Sequence, residues 1–231
     1  MVWPSDAREL DAEQLRLAAL RPPRWAPSGG ELQVGGTFLA FARGEQGPGH
    51  AGDRGWAGAA VIETPGGRLV ARAVVPVIVG APYDRGRLAL REGPALVDAL
   101  RQLTTPPDVV LVDATGRDHP RGAGLALHIG AVVDLPTIGV THRPLLARGD
   151  WPPNEAGAWT PLVLEDDMVG AWLRTRRSAR PLAIHAAWRT DTVTAVEVVQ
   201  RCVIDARTPA PLRHARELAR VARAHAGAHA M

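Results

Sequence analysis

The segment Val109–Asp113 constrains the fold of this chain more than any other. Four consecutive apolar residues end in a carboxylate, and a polar loop that carries His119 follows. An uninterrupted apolar run of this kind is typical of a strand buried on both faces. An acid directly after such a strand lies where open α/β sheets bind their ligands, although it can equally cap the turn. The segment alone leaves both roles of Asp113 open.

The pattern along the chain predicts an α/β fold with a mixed sheet. Strands at 32–41, 56–63 and 69–75 should form an antiparallel meander, with the Gly-rich loop 43–55 as a hairpin connection. From residue 88 to residue 140 strands and helices alternate, which favours parallel pairing around Val109–Val112. Because no linker long enough to divide the chain is present, we expect a single domain over residues 1–231.

The remaining elements are less strongly marked. Helices are predicted at 6–20, 125–133, 192–202 and 211–226, and further strands at 137–140, 161–164, 168–174 and 181–184.

Glu92 and Asp113 are predicted to converge. Pro94 suits the first turn of a helix that continues to Leu103, which would put Glu92 at the helix start. Two carboxylates at one sheet edge can hold an oxygen-preferring cation such as Mg²⁺, which favours phosphate substrates. Hydrolysis of a phosphodiester by metal-activated water is the corresponding reaction. Alternatively, Glu92 only complements the helix dipole.

The basic residues point to a nucleic-acid partner. The net charge is only +3, but all 27 basic residues are Arg and the chain has no Lys. Guanidinium groups bind phosphate in a bidentate manner, whereas codon bias explains the composition equally well. On the last helix an arginine recurs every three or four residues from Arg213 to Arg223. A solvated face is the simplest interpretation of this stripe, and contact with phosphate is the alternative.

Other features bound the class of protein. A single cysteine, Cys202, excludes a disulfide framework or a thiolate metal cluster and favours a reducing cytoplasm. No apolar run is long enough for a membrane span. No G-x-S-x-G elbow, Walker loop, H-E-x-x-H or C-x-x-C motif is present. Tyr83 lies in a Pro-Tyr turn, where an exposed ring can stack on bases, or else belongs to a local cluster.

Several segments together resemble endonuclease V in order and spacing. They are Pro82-Tyr83, Arg91–Pro94, Pro107–Asp113, His119–Gly122 and Pro136–Val140. The resemblance covers roughly residues 32–216 and is densest between 82 and 140. It implies a ribonuclease H-like fold, with the mixed central sheet flanked by helices, and a Mg²⁺ (or Mn²⁺) cofactor. It also implies nicking of DNA beside deoxyinosine in DNA repair. We expect a cytoplasmic monomer that does not contact a membrane. The resemblance implies other lesions and inosine-containing RNA as further substrates.

The resemblance also implies roles for individual residues. Glu92 and Asp113 match the acidic metal ligands and catalytic residues, and His142 is assigned as catalytic at the position of a family lysine. Tyr83 matches an aromatic wedge. The positions that match the pocket for a flipped base are Gly86, Leu88, His119 and Gly124. Such a pocket is needed because a stacked base must be extruded to be read.

The chain departs from the family pattern at one expected metal ligand and at a position on the last helix. An aspartate that ends the first strand in the family falls at Phe38, whose ring has no lone pair. An Asp or His expected on the last helix falls at Arg216. The alternative function is therefore a homologue with impaired catalysis that binds modified or structured nucleic acid. Whether Asp118 replaces the missing ligand is left open by the sequence.

Overall fold

A computed structural model of the protein describes residues 3–43 and 49–228. Residues 44–48, which belong to the predicted loop 43–55, lie outside the described ranges. The strands are β1 (Leu32–Phe41), β2 (Arg54–Thr64), β3 (Arg68–Ile78), β4 (Val109–Val112), β5 (Thr137–Thr141), β6 (Trp159–Leu164), β7 (Asp167–Leu173) and β8 (Leu182–Ala186). The helices are α1 (Ala7–Ala19), α2 (Leu88–Arg101), α3 (Leu125–Val133), α4 (Thr192–Arg201) and α5 (Ala210–Ala228).

All of these strands belong to one mixed sheet with the order β3-β2-β1-β4-β5-β8-β7-β6. The first three strands pair antiparallel, and β4 pairs parallel with both β1 and β5. The predicted meander and parallel core are therefore confirmed, with β4 in the interior of the sheet. The single domain over residues 1–231 stays a prediction.

The position of β4 in the sheet explains why its sequence does not alternate between apolar and polar residues. All four of its residues are fully buried. Val110 and Val112 pack in a core with α1, α2 and α3, whereas Val109 and Leu111 pack in a core with α4 and α5. Because successive strand residues point to opposite faces, a strand covered by helices on both sides must be apolar throughout.

Helix α2 begins earlier than the sequence predicted. It starts at Leu88, with Arg87 as the N-cap, and Pro94 lies inside it. The prediction that Glu92 begins the helix was wrong, because Leu88, Ala89 and Leu90 are good helix formers that bury apolar area and offset the hydrogen bond lost at Pro94. Glu92 lies beyond the first turn, where the helix dipole has little effect, so complementing the dipole does not explain this residue.

The last helix lies unusually close to the sheet. A β-carbon at Gly36 of β1 would overlap the backbone of Pro211, and one at Gly58 of β2 would overlap the carbonyl of Ala215. Glycine at these two strand positions lets α5 lie directly on β1 and β2. Within the described residues, no helix is long and apolar enough to cross a membrane.

Candidate active site

The ends of β1 and β4 place Phe38 beside Asp113. The parallel pairing of these strands ends at Thr37 and Val112, so Phe38 and Asp113 are the next residues on neighbouring strands. Glu92 of α2 faces the same space. A cavity of about 290 Å³, here called the acidic cavity, is lined by Thr37, Phe38, Leu39, Phe41, Leu88, Glu92, Leu96 and Asp113. The two acids that the sequence singled out thus share one cavity.

The pKa values of both carboxylates lie above their ordinary values. Burial, with repulsion from Asp113 as the second cause, raises the pKa of Glu92 to about 7. Burial also raises the pKa of Asp113, while Arg216 and His142 act in the opposite direction. A cation in the acidic cavity would relieve this repulsion.

Arg216 of α5 supplies positive charge at this place. Its Nη2 donates to Oδ2 of Asp113 at 3.4 Å, and its guanidinium carbon lies 4.9 Å from the ring centroid of Phe38. The guanidinium carbon of Arg220 lies 5.9 Å from the same ring. Phe38 therefore carries a cation–π pair at the position where the family resemblance implies a metal-binding carboxylate.

The donor set suits a weakly held magnesium ion. Among the described residues no group of three or more His, Cys, Asp or Glu is arranged to bind a metal. Asp118 is fully buried, and its carboxylate accepts hydrogen bonds from the backbone N–H groups of Leu145, Leu146 and Ala147 at 2.6–2.8 Å. Because these bonds engage both carboxylate oxygens, Asp118 does not replace the missing ligand. Mg²⁺ is commonly held by one or two carboxylates with water and substrate phosphate. Glu92 and Asp113 fit that requirement.

A second cavity of about 200 Å³, here called the base pocket, adjoins the first. Tyr83, Gly86, Leu88 and His119, four of the residues assigned to base recognition, line it. Leu88 and Asp113 line both cavities. The side chain of Tyr83 is exposed, at 47% of its maximum, so its ring is free to meet a ligand.

The carbonyl oxygen of Gly86 accepts hydrogen bonds from three side chains in the wall of the base pocket. It lies 3.4 Å from Nε2 of Gln14, 3.0 Å from Nε2 of His119 and 2.7 Å from Nη2 of Arg121. Gly86 has a φ of +87°, which only glycine adopts without strain. Gln14 was not identified from the sequence, because this residue lies on α1, 72 positions before Gly86.

His119 is neutral and fixed in one tautomer. Its Nδ1 accepts from the backbone N–H of Arg121 at 3.2 Å, so the proton lies on Nε2 and is donated to Gly86. Burial lowers the pKa of His119 to about 4. The residue therefore shapes the pocket wall and carries no charge at neutral pH.

Two of the assigned residues lie outside both cavities. Gly124 caps α3, and a β-carbon there would overlap the backbone and side chain of Thr115. Nδ1 of His142 accepts from Nη1 of Arg207 at 3.1 Å, and burial, followed by Arg207, lowers the pKa of His142. Neither residue is brought into the lining by this structure.

The interior strand that ends in Asp113, the mixed sheet and the second acid on α2 define a ribonuclease H-like nuclease. The family model described as Endonuclease V matches residues 33–217, and the chain belongs to the endonuclease V family. Membership makes the chain an endodeoxyribonuclease of DNA repair and favours this activity over binding without cleavage.

Individual relatives agree with this assignment. Endonuclease V of Roseiflexus castenholzii is 39% identical over 171 residues, which is 74% of this chain and 77% of that protein. The crystal structure of endonuclease V from Streptomyces avermitilis has a TM-score of 0.84 at 31% identity and covers 97% of this chain and 96% of its own. A Ciona intestinalis endonuclease V complex shares the fold, with a TM-score of 0.79 at 19% identity over 94% of this chain and 97% of its own.

Proposed function

We propose that the protein hydrolyses a phosphodiester bond of DNA close to deoxyinosine, the product of adenine deamination, with Mg²⁺ or Mn²⁺. One observation carries the proposal: Asp113 lines both the base pocket and the acidic cavity. A base held in the pocket would bring its own backbone to the carboxylates.

The base pocket suits one base. Its volume of about 200 Å³ is below the roughly 300–1,000 Å³ of pockets for drug-sized ligands. A base reaches such a pocket only after extrusion from the duplex. The exposed ring of Tyr83 lies at this pocket and can fill the gap that the extruded base leaves in the stack.

Hydrogen bonds within the protein already link the pocket wall before the substrate arrives. The Gly86 carbonyl already accepts from His119 and Arg121, which fixes the loop that follows Tyr83. Because His119 is neutral, it recognises the base by shape and contact rather than by charge. Preorganisation of this kind lowers the cost of ordering on binding.

Glu92 and Asp113 would hold the cation. A divalent ion bound there supplies positive charge at the phosphate and acidifies water for attack. Arg216 donates to Asp113 and would add a permanent positive charge near the scissile phosphate. The aromatic ring of Phe38 lines the acidic cavity beside the two carboxylates.

A relative also supports the proposal that the recognised base is inosine. The Ciona intestinalis protein is described in complex with a 23mer DNA that contains an inosine followed by a ribo-adenosine. We further propose that the present chain acts as a monomer, which light scattering during gel filtration would test. Its lone cysteine, buried Cys202, suits a reducing compartment such as the cytoplasm.

A nicking assay tests the proposed function. Duplexes with one deoxyinosine or with adenosine at the same position are incubated with the protein and Mg²⁺ or Mn²⁺, and Asp113→Asn serves as the blank. We expect one nick near deoxyinosine, absent from the adenosine duplex and from the blank. Cleavage of both duplexes alike, or full activity of Asp113→Asn, would contradict the proposal. The same lesion in RNA decides between the two nucleic acids.

A further inference from the structure

A third cavity of about 800 Å³, here called the arginine groove, is lined by α5, β2 and the segment that follows β1. It is lined by Arg43, Arg54, Arg213, Arg216, Arg220 and Arg223. Among the described residues of its lining, Glu217 is the one acid. The sequence left open whether the arginines of α5 form a solvated face or contact phosphate. These arginines line a concave surface, together with one arginine from β2 and one from the segment after β1.

Most of these guanidinium groups have no carboxylate within ion-pair distance among the residues that the structure describes. Among the described residues, Arg216 is the one arginine of the groove that has a carboxylate within ion-pair distance, at Asp113. Arg213 and Arg223 each donate to a backbone carbonyl, which leaves their charge uncompensated. Arg54 and Arg220 are exposed. Codon bias explains many arginines, but it does not explain their concentration in one concavity almost without acids.

The groove is continuous with the site of the proposed reaction. Arg216 lines the groove and donates to Asp113, which lines the acidic cavity. From Arg213 to Arg223 the helix rises about 15 Å, at about 1.5 Å per residue. One strand of B-DNA carries a phosphate about every 3.4 Å along its axis, so this length matches about four phosphates.

The groove also has an aromatic wall. Trp56 of β2 lines it and is partly exposed. Base stacking on such a ring tolerates any sequence and accompanies backbone contacts by basic side chains in proteins that follow a nucleic-acid strand. The charge, the length and the stacking surface of the groove therefore all fit a nucleic-acid strand.

We propose that the arginine groove binds the phosphodiester backbone of the cut strand on one side of the scissile bond. This inference rests on the proposed function, because the position of the bound strand relative to the scissile bond assumes that the reaction takes place at Asp113. It adds a sequence-independent contact, which contributes affinity and register while the base pocket contributes recognition of the lesion.

The test compares two charge-matched double variants. Arg54→Gln with Arg220→Gln removes two exposed groove arginines, neither of which contacts a carboxylate of the acidic cavity. Arg8→Gln with Arg177→Gln removes two exposed arginines outside the groove lining. Fluorescence anisotropy with labelled deoxyinosine and adenosine duplexes, in EDTA to prevent cutting, gives the affinity at several salt concentrations. Thermal unfolding confirms that each variant is folded.

The groove variant should lose salt dependence as well as affinity. Each lost phosphate contact lowers the slope of log K against log salt by about one, so the slope should fall by about two on both duplexes. Between about 50 and 200 mM salt the wild type should then lose about tenfold more affinity than the groove variant. An unchanged slope, or an equal fall in the control variant, would overturn the inference.

Truncated duplexes locate the contact. Shortening the cut strand on the groove side of deoxyinosine should weaken binding by the wild type more than binding by the groove variant, whereas shortening the other side should affect both proteins equally. Truncation that acts identically on the two proteins at both sides would also overturn the inference. Failure of the proposed function would look different, because the wild type would then bind deoxyinosine and adenosine duplexes equally while the salt slopes still decide the role of the groove.

Discussion

Arg216 donates to Asp113 across 103 residues of sequence, with 3.4 Å between Nη2 and Oδ2, at the boundary between the acidic cavity and the arginine groove. The contact gives the central carboxylate a permanent cationic neighbour. A divalent ion at the same carboxylate would have to share it with a guanidinium. The pair therefore tunes how strongly the acidic cavity holds a metal.

Replacement of Arg216 by Met should strengthen metal binding. The variant removes a competitor for Asp113 and a repulsive charge, and an ion pair of this kind is worth up to about 1 kcal/mol. We expect the affinity for Mn²⁺, measured by the signal of free Mn²⁺ in electron paramagnetic resonance, to rise severalfold. Arg213→Met is the control, because Arg213 lies on the same helix without an ion pair to Asp113. Weaker Mn²⁺ binding by the Arg216 variant would show that the guanidinium supports the metal site.

Phe38→Asp should increase cleavage. The ring of Phe38 lines the cavity with Glu92 and Asp113 but donates no electron pair, so the wild type holds the cation with two carboxylates and should nick deoxyinosine DNA slowly. A third carboxylate adds ligand charge, although loss of the aromatic side chain costs several kcal/mol of stability. Single-turnover nicking with saturating Mg²⁺ measures the gain.

The charge of the new side chain should be the cause of that gain. Phe38→Asn has nearly the same shape as Phe38→Asp without the charge, and Asp113→Ala is the blank. Equal rates for the Asp and Asn variants would attribute the effect to space for water. Fast cleavage by the wild type would show that the cavity binds metal adequately without a third carboxylate.

Much of the fold follows from patterns within short segments. The bounds of β1 and α3 agree with those predicted, because each is a mostly apolar segment with glycine, proline or charged residues on both sides. Asp113 was identifiable because a buried strand that ends in an acid is visible in five consecutive residues. The start of α2 was not, because tertiary packing outweighs the usual position of Pro94.

Contacts between distant segments were invisible in the sequence. Gln14 reaches Gly86 from a helix near the N-terminus, and no local pattern marks it. The arginine stripe on α5 was visible, but the position of α5 over Gly36 and Gly58 was not, since the reason is close backbone packing rather than side-chain chemistry. Sequence reasoning therefore found the acids and missed the basic groove that adjoins them.

Tyr83→Ala should reduce the preference for deoxyinosine. The exposed ring lines the base pocket, and loss of a base-stacking aromatic costs about 1–3 kcal/mol. The ratio of affinities for deoxyinosine and adenosine duplexes should fall accordingly in anisotropy measurements, while Tyr83→Phe, which keeps the ring, retains it. An unchanged ratio in Tyr83→Ala would remove the wedge role from this residue.

Glu92 should make the stability of the metal-free protein fall as pH rises. Its pKa is about 7 in the folded protein, against an ordinary 4.5, so the folded state keeps a proton that the unfolded chain releases between about pH 4.5 and 7. Across this window the wild type should lose about 2 kcal/mol relative to Glu92→Gln, less than the full shift implies because the side chain keeps some exposure.

Urea unfolding of both proteins in EDTA measures this difference at each pH. Burial lowers the pKa values of His119, His128 and His185 to about 4, which acts in the opposite direction, but these residues are common to both proteins and cancel in the comparison. Because a divalent cation favours the ionised carboxylate, Mg²⁺ should restore stability to the wild type above about pH 7 and leave Glu92→Gln almost unchanged. A difference that stays constant with pH would mean that Glu92 is ionised in the folded protein without a metal.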